Sequence, residues 1–118
     1  MSKTMLWPFA TALAFFVGCG GVPKPEARLS SDEGAIRGAE EAGANGVPEA
    51  ALHVKLAQEQ REQAQKAIAN GDNHRAAKLL ERSEADAELA LALARQAAAT
   101  ADASKAREAD ESLKSKAE

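Results

Sequence analysis

By residue type alone, the groups in this chain best suited to chemistry are the thiol of Cys19 and the imidazoles of His53 and His74. Cys19 is the single cysteine, so no disulfide can form within one chain. It follows Phe16-Val17-Gly18, the end of a short uncharged apolar run, and precedes Gly20-Gly21. The small residues around it form a candidate cleavage zone. The two histidines fit no shared metal site. They fall at opposite ends of an expected helix pair, more than about 20 Å apart by helix rise, and neither has a cysteine partner. Glu84, Asp86 and Glu88 are close in sequence, but residues two apart on a helix do not face each other. Glu84 and Glu88 share a face as like charges. Acid–base work by carboxylates needs a pocket that shifts a pKa, and a thin helical rod offers none. These side chains therefore read as seam or solvated surface.

The residues before Cys19 have the three parts of a secretory signal. Lys3 gives the positive start, Met5 to Val17 the uncharged apolar run, and Gly18-Cys19-Gly20-Gly21 the small-residue cleavage zone. A membrane-spanning helix would need about 20 apolar residues. This run is shorter and contains Pro8, which disrupts a helix interior. Phe16-Val17-Gly18-Cys19 resembles the lipobox of bacterial lipoproteins. The resemblance implies that residues 1–18 are removed and that Cys19 becomes a lipidated first residue. Gly20 stands where Asp is associated with retention in the inner membrane. The expected location is therefore the outer membrane, facing the periplasm.

Composition changes at the same point. Trp7, Phe9, Phe15 and Phe16 are the only aromatic residues, and Met1 and Met5 the only methionines; all precede Cys19. From Cys19 onward, 26 of 100 residues are alanine, and Glu, Lys, Arg, Gln and Leu supply much of the rest. That bias reads as long helices. Each alanine buries little apolar area, so the core must be thin. The chain from Cys19 carries 14 basic and 18 acidic residues. With no basic stripe and no stacking aromatics, it lacks the footprint of a nucleic-acid binder.

The elements follow from local signals. Residues 19–29 form an expected flexible tether, with Gly20-Gly21 and the prolines Pro23 and Pro25 opposing regular structure. Residues 30–118 form the expected alanine-rich helical domain. Ser30 and Glu33 have capping-box spacing, which predicts a first helix over about Asp32–Ala42. Asn45-Gly46 favours positive φ, and Pro48 suits the first position of a second helix. That helix is predicted to run to about Ala69. Asn70-Gly71-Asp72 is a turn, with Gly71 suited to a left-handed cap and Asp72 to the next N-cap. A third helix is predicted from Asn73 to about Ser115, since neither proline nor glycine interrupts it.

Helices joined by so short a turn pack antiparallel. Folding about Gly71 pairs Ala64 with Leu79, Ala57 with Asp86–Ala87, and Leu52 and Leu56 with Leu89 and Leu93. The predicted stripe of the second helix is Leu52, Leu56, Ala57, Ala64, Ala67 and Ile68. The third helix overhangs from about Ala97, with Ala99, Ala103, Ala106 and Leu113 at helical spacing. The first helix, with Ala35, Ile36, Ala39 and Ala42, could cover that overhang in line with the second, or complete a compact three-helix bundle. The in-line arrangement is the expectation, because it covers the overhang.

In order, the chain shows a lipobox, then Ala35-Ile36-Arg37-Gly38-Ala39-Glu40-Glu41-Ala42-Gly43-Ala44, then Val47-Pro48-Glu49-Ala50-Ala51-Leu52 and Lys55-Leu56-Ala57. Gly71-Asp72, Arg75-Ala76-Ala77-Lys78-Leu79-Leu80 and Asp86-Ala87-Glu88-Leu89-Ala90 follow. Over about Ser30 to Ala109 this resembles the bacterial lipoprotein family called domain of unknown function 4398. The resemblance implies an envelope location and a helical fold, and supplies no activity.

The sequence thus predicts an all-α protein, a long antiparallel helical hairpin with a short preceding helix, after a signal peptide and tether. The expected role is that of a non-enzymatic structural or adaptor protein, held to the membrane by lipid on Cys19. Its expected partner is another envelope protein or a second copy, with no cofactor, metal or nucleic acid. The alternative is a carrier or regulatory subunit for lipid or cell-wall fragments. The thin alanine seam argues against that, since ligand pockets are usually lined by larger groups.

Overall fold

The computed structural model describes residues 25–117. The expected signal peptide, Cys19 and the first part of the expected tether lie outside them. Three α-helices follow in order: α1 (Pro25–Glu41), α2 (Pro48–Ala69) and α3 (Asn73–Ala117), with a short 3-10 turn at Ala44–Gly46. The predicted hairpin is α2 and α3, and α1 is the short preceding helix.

The α2–α3 turn forms as its residues dictate. Gly71 takes φ 77°, a left-handed conformation that costs residues with a Cβ. The amide of Gly71 donates to the carbonyl of Ile68 at 2.9 Å, and that of Asp72 to Ala67 at 2.9 Å. These are the two crossed bonds of a Schellman ending. The Asp72 side chain then accepts the Arg75 amide at 3.1 Å and starts α3.

The first connection differs from the sequence reading. Positive φ falls on Gly43, at 91°, and not on Asn45 or Gly46. Gly43 ends α1, and the 3-10 turn reverses the chain before Pro48 enters α2 at its first turn. α1 also begins at Pro25, so residues 25–29 are helix and not tether. Proline is tolerated there because first-turn amides have no intrahelical partner. Leu29 packs against the cluster of Ala64, Ala67, Ala76, Leu79 and Leu80.

That reversal decides where α1 lies. It runs beside the hairpin, antiparallel to α2 and parallel to α3, and completes a three-helix bundle. Arg28 reaches the carbonyl of Ala77 on α3 at 3.5 Å, Glu33 meets Arg61 on α2 at 2.9 Å, and Glu40 accepts from Gln58 at 2.9 Å. The expected in-line placement over the overhang is therefore incorrect. In the bundle, Ile36, Ala39 and Ala44 join Ala50, Val54, Ala57, Ala87, Ala90 and Ala94 in one core. An in-line helix would leave that face of the hairpin in water.

The core is mostly alanine. Leu80 is the one large apolar side chain that is fully buried among the described residues. Of the leucines expected at the hairpin's seam, Leu93 packs against this core and Leu56 is half-buried, but Leu52 is 54% exposed and Leu89 42%. The seam of α3 follows Ala76, Leu80, Ser83, Ala87, Ala90 and Ala94, a strict alternation of four- and three-residue steps. Leu80 fills the seam near the turn, and from Ser83 to Ala94 the buried positions are all small side chains.

Beyond Ala97 the third helix is an uncovered arm, with residues 98–117 all exposed. Ala99 and Ala103 do not prolong the buried seam. Five and nine residues past Ala94, at about 100° per residue, they fall on roughly the opposite side of α3. The seam's own continuation is Ala97, Ala101, Ser104, Glu108 and Glu111, which turns polar as it leaves the bundle.

Candidate functional site

The described residues bring polar side chains together at two levels of the bundle. At the first, where all three helices meet, α1 places Asp32 four residues before Ile36 and seven before Ala39. All three therefore lie on one buried face. Asp32 is fully buried, as is Ser83 on α3. The Ser83 hydroxyl donates to the Ala57 carbonyl at 2.7 Å. Arg61 on α2 holds Nε 3.8 Å from Asp32 and Nη2 2.9 Å from Glu33. Both Asp32 oxygens and Arg61 Nε lack a hydrogen bond. Burial raises the Asp32 pKa, and the Glu84 carboxylate adds to the rise. Ser83 and the Arg61 guanidinium partly oppose it.

At the second level, on the seam of α2 and α3, His53 Nδ1 lies 2.8 Å from Asp86 Oδ1. Gln60 donates to the other carboxylate oxygen at 2.7 Å. With a carboxylate as acceptor, Nδ1–H is the donor of this bond.

Neither level is an assembled catalytic centre. Ser83 gives its proton to a backbone carbonyl and has no exposure, so nothing activates it and no substrate reaches it. In the His53–Asp86 pair Gln60 bonds the carboxylate, and among the described residues no hydroxyl or thiol is hydrogen-bonded to the His53 ring. Among the described residues, no group of three or more His, Cys, Asp or Glu could hold a metal ion. Both levels link helices through side-chain hydrogen bonds and ion pairs.

The sequence-based expectations separate accordingly. His53 is in the seam and His74 is exposed in the first turn of α3. His74 lies twelve residues from the level of Asp86, or about 18 Å along the helix, so the two histidines do not meet. Asp86 and Glu84 also diverge: Asp86 faces α2, Glu84 lies 4.0 Å from Arg28 on α1, and Glu88 is exposed. Cys19, the candidate lipidation residue, lies outside the described residues. Asp32, Arg61 and Ser83 escaped the sequence reading. One signal for Asp32 was available: the Ala39–Ile36 stripe, extended one turn back, lands on it.

No family model matches the chain, and no curated protein or solved structure shows significant similarity to it. Among the described residues, no helix is long and apolar enough to cross a membrane.

Proposed function

We propose that this chain is a lipid-anchored envelope protein with a structural or adaptor role, attached through Cys19 to the outer membrane and facing the periplasm. It is not an enzyme in this reading, and its binding element is the free arm of α3. The observation that carries the proposal is the polarity of the bundle. α1 starts beside the Asn70–Asp72 turn, because Arg28 reaches Ala77. The arm leaves from the opposite end, beyond Ala97. A lipid on Cys19, a few residues before α1, would therefore hold the turn end near the bilayer. The arm, about 30 Å long over residues 97–117, would extend away from it. Such an arrangement presents a helix at a distance from the membrane, as an adaptor requires. The resemblance to the lipoprotein family named above agrees with this reading.

Two measurements test it. Labelled fatty acid should enter the wild-type chain and not Cys19→Ala, which should accumulate as unprocessed precursor; label retained by the variant excludes the anchor. A photo-reactive residue at Ala103 should give a reproducible cross-linked species in intact cells, while one at Glu62 on the bundle should not. Equal yields at both positions would exclude the arm as the binding element.

A further inference from the structure

The turn between α2 and α3 departs from the chain's average charge. Residues 63–82 hold four bases, Lys66, Arg75, Lys78 and Arg82, against two acids, Asp72 and Glu81, in a chain of net charge −3. The bases share one side of the hairpin. Arg75, Lys78 and Arg82 line an open groove of about 400 Å³ with Gln63, His74 and Leu79. Lys66 and Arg75 line an adjoining groove of about 150 Å³ that also includes Asp72. The Asp72 carboxylate is engaged by the Arg75 amide at 3.1 Å. All four bases are exposed, and none forms an ion pair among the described residues. Lys66 suits the last turn of α2, where a base complements the helix dipole. Arg75, Lys78 and Arg82 have no such role: Arg75 stands in the first turn of α3 behind the Asp72 cap, where the dipole disfavours a base, and Lys78 and Arg82 follow it one and two turns on.

We propose that this basic groove rests on anionic phospholipid headgroups of the membrane to which Cys19 is anchored. The inference builds on the lipid-anchor reading and adds a second contact to it. Cys19 precedes Pro25 by six residues, a stretch that spans at most about 20 Å, and α1 begins at the end of the bundle that bears the groove. An acyl chain in the bilayer thus keeps the groove within reach of headgroups. Bases near such a surface each strengthen binding by roughly fivefold, and salt screens the effect. Two weak signals combine into stable attachment. The lipid alone leaves the bundle free to swivel. The groove fixes its orientation and so aims the arm.

The test uses the acylated chain purified from cells and spin-labelled through Asn73→Cys. It is reconstituted in phosphatidylcholine vesicles with and without phosphatidylglycerol, each carrying a paramagnetic headgroup lipid. Added phosphatidylglycerol should bring the label against the headgroups at low salt. The combined variant Arg75→Gln, Lys78→Gln, Arg82→Gln should lose at least about tenfold of that preference, and a label at Ala103 should not respond. A label at Asn73 that ignores the anionic lipid, or a triple variant that still follows it, overturns the proposal. Mass spectrometry of Cys19 and flotation on pure phosphatidylcholine read the anchor separately. Flotation only with phosphatidylglycerol would support the groove and reject the anchor, and no flotation on either would reject both.

Discussion

Arg61 stands between two carboxylates of α1, with Nη2 2.9 Å from Glu33 and Nε 3.8 Å from the buried Asp32. Glu33 takes the better geometry and is half-exposed, while Asp32 has no exposure and no hydrogen bond to either oxygen. Asp32 therefore bears the desolvation cost of a buried charge without full compensation.

The sign of its pH dependence follows. The native pKa of Asp32 lies above the ordinary value of 3.8. Between those two values the folded chain binds more protons than the unfolded chain, so this group's contribution to stability falls with rising pH. The contribution is fully present below about pH 3.8 and lost as pH climbs through the native value. Asp32→Asn should stabilise the bundle at pH 7 by on the order of 1 kcal/mol, since Arg61 keeps Glu33. The gain should shrink in acid. Urea midpoints of both proteins at pH 7 and pH 4 decide this, and a less stable variant at pH 7 would refute it.

The core makes an uneven prediction about leucines. Leu80 is fully buried, and its truncation leaves a cavity that neighbouring alanines cannot fill. Leu80→Ala should cost about 2–5 kcal/mol, a large share of the stability of so small a bundle. Leu52→Ala and Leu89→Ala should each cost about 1 kcal/mol, because only about half of each side chain is covered. Thermal melts followed by circular dichroism would show the ranking. Equal midpoints for the three variants would mean the seam is misassigned.

The hairpin was legible in the sequence because its punctuation is local. Gly71 and Asp72 act through their own backbone geometry, and Pro48 through its missing amide, so α2 and the turn are placed as predicted. The seam was less legible because alanine can occupy either face of a helix. With 26 alanines after Cys19, leucines drew the stripe toward Leu52 and Leu89, although both stand about half-exposed at its edge. Placement of α1 rested on a choice between two faces that alanine patterning does not distinguish. Its polar clasps to Arg61 and Gln58, and Asp32 itself, are tertiary features of side chains that read locally as surface.

Glycines give a paired prediction. Gly38 lies within α1, and a Cβ added there would meet nothing within 4 Å, whereas Gly71 holds φ 77°. Gly38→Ala should stabilise the bundle by about 0.5–1 kcal/mol through helix propensity. Gly71→Ala should destabilise it by about 1–2 kcal/mol, the cost of a left-handed residue with a Cβ. Opposite shifts in denaturant midpoint are the expected result, and shifts of the same sign would contradict the turn geometry.

The arm makes the last prediction. Residues 98–117 are exposed throughout, and their ion pairs, Lys105 with Asp102 and Lys114 with Asp110, are local to the helix. Such pairs add only about 0.2–0.5 kcal/mol each, and most helix stability in proteins comes from packing. The arm should therefore contribute almost nothing to the bundle. A chain ending at Gln96 should melt within about 2 °C of the full chain at low concentration, since a loss of about 1 kcal/mol would already shift a domain this size by about 4–8 °C. In the full chain, amides beyond Ala97 should exchange quickly, while those around Leu80 and Ala87 stay protected. Protection of the arm that rises with protein concentration would show that a second copy covers it. Strong protection at every concentration, or a large loss of melting temperature on truncation, would mean that the arm is held within its own chain.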